Sequence, residues 1–365
     1  MITRRQAMGL GAMAGLGWFA KSAAAGETAG SAGYYYPEES APHERTFMQW
    51  PVSSAVYDDT RVLAETQRCI ARIANAISEF EPVVMLMDQR HQSNARKLLG
   101  QSVEIWNIPT EDLWCRDSGP SFVVNGKGGL AITQFNFNGW GGKQVHRNDG
   151  KIAARVAEHL GLRQFDNGLV GEAGGVETDG RGTLIAHESS WINRNRNKGS
   201  RQEIEAMLLE AMGADKIIWA PGIKGADITD YHIDALARFT GPGVVLIQMG
   251  EEVDPDDPWS AAAFETHDRL AAATDADGKR LKLVVLPDPL DVRVKSADFV
   301  SSYVNYYVCN GGVIAAQFGD HAADAEAAAA LAELYPGREI VTLDIDALGR
   351  LGGGIHCATH EQPKV

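Results

Sequence analysis

Near its C-terminus the chain reads GGGIHC at residues 352–357, so that three glycines lead into a histidine and a cysteine. Three other polar clusters lie upstream, where the apolar pattern is interrupted: WCRDSGP at residues 114–120, EAGG at 172–175 and DITDYHID at 227–234. Taken singly, each cluster has a plain structural interpretation, because a glycine run can be a loop and an acid beside an arginine an ion pair. The information lies in their occurrence together and in this order.

Amphipathic helices followed closely by short apolar strands recur along the rest of the chain. Helical spacing of apolar residues runs over residues 60–80, ahead of the strand VVMLM at 83–87. Ser200 and Glu203 have capping-box spacing, which predicts a helix through residue 212 and then a strand. About five such units recur, and alone they predict only an α/β protein. No GxGxxG follows a strand, so a dinucleotide-binding fold has no support.

The composition is that of a soluble globular protein and is strongly acidic. Hydrophobic residues make up 44% of the 365 residues and charged residues 22%, and the formal net charge is −14. This balance argues against a nucleic-acid partner, because phosphate binding needs a basic face. It is compatible with a small cationic ligand, although an acidic surface also serves solubility alone.

The four cysteines do not form a structural pattern. They are too few and too scattered for a disulfide framework, and neither CxxC nor a zinc-type Cys/His spacing occurs. At least one of them is therefore a candidate for chemistry. His232 and Asp234 could hold a metal together with Asp227 or Asp230, but no third spaced histidine supports that interpretation. We expect no metal and no cofactor.

The N-terminus resembles an export signal. Arg4 and Arg5 precede a weakly apolar stretch at residues 9–20 and an Ala-x-Ala end at 23–25, which predicts a twin-arginine signal peptide over residues 1–25. The apolar stretch is too short for a membrane span. The alternative is an ordinary N-terminal helix and a cytoplasmic protein. Residues 26–33 are small and polar and are expected to form a flexible lead-in to a single catalytic domain at 34–365.

The four clusters, together with PHERTFMQWP at residues 42–51, resemble the agmatine deiminase family, also called the bacterial peptidylarginine deiminase family. The ordered combination RDxGP, ExGG, HxD and GGGxHC covers nearly the whole chain from Tyr36 to Pro363. The resemblance implies an α/β fold of the pentein type, a five-bladed pseudo-symmetric propeller of ββαβ units. It also implies a central site built from loops of different units.

Carried over by motif, the resemblance assigns roles to individual residues. Cys357 corresponds to the nucleophile and His232 to the general acid/base, whereas Asp117 and Asp234 correspond to the carboxylates that grip a guanidinium. Glu172 corresponds to a carboxylate that supports the histidine and the substrate. The substrate-binding set comprises Asp117, Asp234, Glu172, Trp114 and Gly354.

The residue types suit this chemistry independently of the resemblance. A guanidinium is planar, permanently charged and a rigid fork of N–H donors, so that paired carboxylates are its natural partners. Its carbon is a poor electrophile, which favours a thiolate nucleophile. His356 lies beside the nucleophile, but adjacent side chains of an extended segment point to opposite faces, so we interpret His356 as structural.

Some positions depart from the family pattern. Ala173 replaces the usual first glycine of EGG, Tyr231 replaces the glycine before the histidine, and His360 and Glu361 replace glutamines. These changes flank the expected site, so they bear on substrate choice more than on activity.

The leading hypothesis is hydrolysis of agmatine to N-carbamoylputrescine and ammonia, a step of putrescine biosynthesis, by an exported, periplasmic enzyme. Free arginine or a C-terminal peptidyl arginine, giving citrulline, is the alternative substrate, and Arg194 or Arg196 could then bind its carboxylate. A non-catalytic exported protein that binds guanidines or polyamines is the alternative of another class, but binding alone needs neither Cys357 nor His232. The expected partner is a small guanidine, with a homodimer as an open alternative to a monomer.

Overall fold

The computed structural model describes residues 27–296 and 298–365. The segment interpreted as a signal peptide, residues 1–25, lies outside the described residues. In the described part, the strands form five small sheets. Each sheet contains an antiparallel strand pair, and a helix leads from the second strand of that pair to a third strand that runs parallel to it.

The elements follow the chain in regular order. The first two units contain β1 (His43–Gln49), α1 (Thr60–Ile77), β2 (Val83–Met87), α2 (Gln92–Ala95), β3 (Val103–Asn107), α3 (Cys115–Ser118), β4 (Ser121–Val124), β5 (Leu130–Thr133), α4 (Gly139–Gly142), α5 (Ile152–Leu160) and β6 (Arg163–Phe165). The third and fourth contain β7 (Val176–Thr178), β8 (Thr183–His187), α6 (Glu188–Trp191), α7 (Arg201–Met212), β9 (Lys216–Ala220), β10 (Ala237–Gly241), β11 (Val244–Gln248), α8 (Pro258–Ala272) and β12 (Lys282–Leu286). The last contains β13 (Tyr307–Cys309), β14 (Gly312–Gln317), α9 (His321–Leu334), β15 (Glu339–Asp344), α10 (Asp346–Gly349) and β16 (Thr359–Pro363), and single 3-10 turns occur at Gln89–His91, Asp149–Lys151, Ala173–Gly175 and Ile233–Ala235.

The first and last of the described strands lie in one sheet. Four sheets have the orders β4-β5-β6, β7-β8-β9, β10-β11-β12 and β13-β14-β15, each from one continuous stretch of chain. The fifth has the order β16-β1-β2-β3, in which the last described strand pairs antiparallel with the first. The unit count therefore reaches five only when the C-terminal strand supplies the missing antiparallel partner of β1.

Helix α7 starts and ends where the sequence predicts, whereas α1 ends before residue 80, the end of its predicted helical pattern. Ser200 and Glu203 form the expected capping box at the start of α7, and Gly213 ends that helix with a left-handed φ of 59°. In α1, Ile70, Ile73 and Ile77 are fully buried, which confirms the predicted apolar face. That helix ends at Ile77, and Ser78 caps it by donating its backbone N–H to Ala74.

Residues 27–33, for which the sequence predicts a flexible lead-in, form turns that pack against the domain. Ala29 is fully buried, and the backbone N–H of Gly30 donates to the carbonyl of Glu210 at 2.9 Å. The Tyr34 ring then packs at a tilt against Phe165, with ring centroids 5.3 Å apart. The segment thus lies on α7 and β6 and leads the chain towards the centre of the molecule.

The first strands of neighbouring units contact one another, β4 with β16 and β7 with β10, and enclose a cluster of buried charges. Arg238 on β10 reaches Glu39 at 2.9 Å and Glu177 at 3.1 Å. Arg116 reaches the same Glu39 at 2.9 Å and Glu361 on β16 at 2.9 Å. We call these five residues the central charge cluster. Because buried charges are costly unless paired, this cluster joins four units and the N-terminal segment.

Among residues 27–296 and 298–365, the structure contains no helix whose length and apolar character would let it cross a membrane.

Replacing Arg238 with methionine tests how far the fold depends on the central charge cluster. The change leaves Glu39 and Glu177 without one of their buried partners, and we expect the free energy of unfolding to fall by about 3–5 kcal/mol. Urea denaturation followed by circular dichroism measures it. The control Arg269→Met removes an exposed ion pair with Glu265, worth about 0.5 kcal/mol or less. Equal losses in the two variants would show that the cluster is not a source of stability.

Candidate active site

The loops that precede the first strands of the units bring the predicted residues together. Asp117 lies just before β4, Glu172 just before β7, His232 and Asp234 just before β10, and Cys357 just before β16. Each residue occupies a similar place in its own unit. The pseudo-symmetry of the fold therefore brings these residues to one point. All five predicted catalytic residues are therefore neighbours, although they are spread over 240 residues of sequence.

His232 lies between two carboxylates. Its Nε2 is 3.1 Å from Glu172 Oε2, and its Nδ1 is 3.6 Å from Asp117 Oδ1. Burial alone would lower the pKa of His232, but the charges of Asp117 and Glu172 outweigh it and raise that pKa to about 9. The free site consequently holds a protonated imidazole at neutral pH.

Asp117 and Asp234 each present one unpaired oxygen. The indole N–H of Trp140 donates to Asp117 Oδ2 at 2.8 Å, and His356 Nδ1 lies 2.7 Å from Asp234 Oδ2. Both Oδ1 atoms are buried and have no hydrogen-bond partner among the described residues. Since such an atom costs free energy until it accepts a bond, the two carboxylates are arranged to receive N–H donors from a ligand.

The two acids differ in their protonation behaviour. Burial raises the pKa of Asp117 to about 6, although the charge of His232 opposes the rise. Burial would also raise the pKa of Asp234, but the hydrogen bond and the charge of His356 lower it below its usual range. Asp234 is therefore the more firmly ionised of the pair.

Cys357 is the one cysteine of the four that is partly exposed. Its Sγ lies 3.5 Å from Asp234 Oδ2 and accepts a hydrogen bond from the side-chain amide of Asn305 at 3.1 Å. Burial of the sulfur, together with the charges of Asp234 and Asp117, raises the pKa of this thiol well above its usual value. In the free site the group is thus a thiol that needs added positive charge to ionise.

Glycines make the site possible by close approach of the backbone. A Cβ on Gly174 would lie 2.7 Å from Asp117 Oδ1 and 2.8 Å from His232 Nδ1. A Cβ on Gly353 would lie 2.6 Å from the Trp114 ring and 3.3 Å from Cys357 Sγ. Any side chain at either position would enter the space around the reacting groups.

The two other predicted binding residues also lie at the site. The ring of Trp114 covers Gly353, next to the sulfur, whereas a Cβ on Gly354 would meet Asn305 Oδ1 at 2.5 Å. Gly354 thus allows Asn305 to contact Cys357.

Three of the residues that depart from the family pattern make specific contacts with their own neighbours. Tyr231 has a left-handed φ of 69°, a conformation that favours glycine, but its ring is buried between His187 and Trp259, with centroids 4.6 Å from each. Glu361 belongs to the central charge cluster, and His360 hydrogen-bonds the Tyr36 hydroxyl at 2.9 Å. The latter two lie behind the site, not beside the substrate position.

Sequence reasoning missed Asn305, which holds Cys357 at two points. Besides the amide-to-sulfur bond, its Oδ1 accepts the Cys357 backbone N–H at 3.2 Å. Asn305 lies just before β13, the place from which the other units contribute their residues. Its position in the repeat is the available signal, but no glycine or charged cluster surrounds it in the sequence.

The interpretation of His356 as purely structural is incomplete, because its ring contacts Asp234 directly. Arg196, considered as a partner for a substrate carboxylate, is already engaged. It is buried, donates to both oxygens of Glu172 at 2.9 Å and reaches Asp230 at 2.7 Å. Arg194 is exposed. Within the described part of the chain, no group of three or more His, Cys, Asp or Glu residues is arranged to hold a metal ion.

Five ββαβ units around a central cysteine, histidine and carboxylate site define a pentein propeller of the guanidine-modifying class. The chain belongs to the Porphyromonas-type peptidyl-arginine deiminase family, whose model matches residues 35–363. The propeller expected from the sequence resemblance is confirmed.

Known proteins support this placement over nearly the full length. The agmatine deiminase of Stutzerimonas stutzeri is 36% identical over 357 residues, which cover 91% of this chain and 96% of that protein. The agmatine deiminase of Pseudomonas putida is 34% identical over 358 residues, again covering 91% and 96%. The solved agmatine deiminase of Enterococcus faecalis superposes with a TM-score of 0.85 at 28% identity, covering 93% of this chain and 98% of that one.

Replacing Gly174 with alanine tests the close approach at the site. The added methyl group overlaps the Asp117 and His232 side chains, and we expect the turnover of guanidine substrates to fall by more than about 100-fold because the reacting groups are displaced. Ammonia release measures it. The control Gly241→Ala places its methyl group in open space at an unstrained position and should leave activity unchanged. Wild-type turnover by Gly174→Ala would mean that the site tolerates the displacement.

Proposed function

We propose that the chain hydrolyses the guanidinium group of agmatine, giving N-carbamoylputrescine and ammonia. The observation that carries the proposal is a pair of buried oxygens without hydrogen-bond partners, Asp117 Oδ1 and Asp234 Oδ1, on the two carboxylates of the site, and the second carboxylate lies 3.5 Å from Cys357 Sγ through its Oδ2. A guanidinium supplies a planar fork of N–H donors and a positive charge, which is what two such acceptors need. The names of the similar proteins point to the same substrate.

The bound cation also prepares the nucleophile. The negative charges of Asp117 and Asp234 raise the pKa of both the Cys357 thiol and the His232 imidazole in the free site. A guanidinium between the two acids cancels that influence. Its arrival therefore releases the resting proton of His232 and lets the ring accept the thiol proton, so that a thiolate forms only when substrate is in place.

The first half of the reaction forms a covalent intermediate. The thiolate of Cys357 attacks the guanidinium carbon, and the resulting tetrahedral adduct is neutral. Protonated His232 then gives its proton to one amino group, which departs as ammonia and leaves a positively charged amidino-thioether on the sulfur. Glu172, fixed by Arg196, holds the imidazole in position for this transfer.

The second half consumes water. Neutral His232 takes a proton from a water molecule, whose hydroxide adds to the amidino carbon. The carbon–sulfur bond then breaks, the hydroxyl proton passes to the departing thiolate, and the ureido product forms. His232 is then protonated and Cys357 is a thiol, as in the free site, and the proton that His232 released when the substrate bound combines with ammonia as ammonium.

Agmatine is preferred over arginine because the latter adds a carboxylate that needs a cation. Arg196 is fully paired with Glu172 and Asp230, and Lys143 is paired with the same Asp230 at 2.8 Å. Neither is free to neutralise a second carboxylate. We accordingly propose that the product feeds putrescine formation. A passive binding protein would require neither a thiol nor the His232–Glu172 pair.

Covalent chemistry at Cys357 can be tested directly. Mass spectrometry of protein quenched during turnover should show an amidino adduct on Cys357, and Cys357→Ser should lose nearly all turnover while still binding agmatine, because a hydroxyl does not supply the anion here. Cys115→Ser serves as the control and should retain turnover, because Cys115 is buried and burial raises its thiol pKa. An adduct on Cys115 or Cys309 would reassign the nucleophile.

Substrate preference distinguishes an agmatine deiminase from a deiminase of free arginine or of a C-terminal peptidyl arginine. We expect kcat/KM for agmatine to exceed that for free arginine and for a C-terminal-arginine peptide by at least about tenfold, since the added carboxylate would find both Arg196 and Lys143 already paired with acids. Ammonia release with the three substrates in parallel measures the ratio. The reverse order would make the protein an arginine or peptidylarginine deiminase, and binding without any ammonia would favour the binding-protein alternative.

We also propose that the enzyme is exported by the twin-arginine route and cut near Ala25. A separate proposal is that it assembles as a homodimer. Arg4, Arg5 and the Ala-x-Ala end support the export route, which carries folded proteins and so protects free thiols from mispairing. Lysine substitution of both arginines should leave uncleaved, active enzyme in the cytoplasm. Uncleaved wild-type protein in the cytosolic fraction would contradict export, and sedimentation of a monomer would contradict the dimer.

A further inference from the structure

His356 lies between two carboxylates, one in the site and one behind it. Its Nδ1 is 2.7 Å from Asp234 Oδ2, and its Nε2 is 2.8 Å from Glu39 Oε2. The two carboxylates therefore hold the ring from both sides, one at each of its nitrogens. Glu177, 3.9 Å from Nε2, adds a third negative charge near the ring. Glu39, His356 and Asp234 thus form a continuous series of side-chain contacts that leads into the site.

These contacts fix the orientation of the Asp234 carboxylate in the site. His356 engages Oδ2, which also lies 3.5 Å from Cys357 Sγ, and Oδ1 keeps no hydrogen-bond partner among the described residues. The backbone around the ring is fixed as well, since Asn305 O accepts the His356 N–H at 3.1 Å. A rotation of the Asp234 carboxylate would break a charge-assisted bond in a buried environment.

The Glu39 end of this series of contacts is held by residues outside the loops that form the site. Glu39 precedes β1 and belongs to the N-terminal segment that packs into the centre of the molecule. Arg116 and Arg238 each hold the same Glu39 Oε2 at 2.9 Å. The position of the His356 ring therefore depends on a carboxylate that two guanidinium groups hold in place.

We propose that Glu39 and His356 are positioning residues that orient Asp234 for the guanidinium, so that the N-terminal segment is a working part of the site. The inference rests on the proposed function, because it takes Asp234 as a substrate ligand. It differs from a purely stabilising role in one respect: it predicts that the contact to Asp234, and not burial of a ring, is what matters.

Two substitutions of His356 separate these roles. Asparagine places its amide nitrogen near the Nδ1 position and can still donate to Asp234, whereas glutamine places it near Nε2 and can reach only Glu39. We expect His356→Asn to lose about tenfold in kcat/KM for agmatine and His356→Gln about 100-fold, because the second misplaces a substrate ligand. In a Cys357→Ser background, the Kd for agmatine should weaken in the same order.

The anchor is tested with a matched pair of acids. Glu39→Gln removes the charge that His356 Nε2 faces and should lower kcat/KM by about tenfold, whereas Glu361→Gln removes an acid of the same cluster that contacts Arg116 alone and should leave it unchanged. If His356→Gln does not fold, Glu39→Asp, which keeps the charge but withdraws it from the ring, provides the equivalent measurement.

Some outcomes would overturn the inference while leaving the proposed function intact. Suppose that the wild-type protein turns over agmatine, and that His356→Asn and His356→Gln lose equal activity in proportion to their loss of unfolding free energy. His356 would then be a structural residue only. Equal effects of Glu39→Gln and Glu361→Gln would remove the anchor. By contrast, wild-type protein that releases no ammonia from any guanidine would refute the function itself.

Discussion

The structure depends on keeping several carboxylates ionised in a buried place. A carboxylate away from water is unstable without positive partners, and here the partners are the guanidinium groups of Arg116, Arg196 and Arg238 and the rings of His232 and His356. At the site, Asp117 and Asp234 each keep one oxygen without a hydrogen-bond partner among the described residues. The free site therefore lacks positive charge beside these two carboxylates, and a bound substrate cation supplies it.

Much of this arrangement is visible in the sequence. The capping box at Ser200 and the apolar face of α1 are local patterns, and they predict helices directly. The five site residues are identified by motif, and the glycine-rich context of two of them reflects the close approach at Gly174 and Gly353. Local chemistry was sufficient wherever the structural reason for a residue lies within its own loop.

Other features depend on partners that are distant in the chain. Asn305 looks unremarkable in its own segment, and its role follows from a contact made 52 residues further on. His356 was interpreted from the alternation of an extended strand, but it lies in a turn before β16, where that rule does not apply. Arg196 looked available in the sequence because neither Glu172 nor Asp230 is its neighbour there. Long-range pairing, and not residue type, decides the role in each case.

The pairing of the last strand with the first also sets an order in time. While a ribosome extends the chain, β1 has its parallel partner β2 early, but its antiparallel partner β16 is made after all the other described elements. Cys357 stands just ahead of that strand, and so the sulfur reaches its acidic neighbours only when the ring closes. A chain that stops before Cys357 has the acids and the histidine but cannot react, which links catalytic competence to synthesis of the segment that closes the ring.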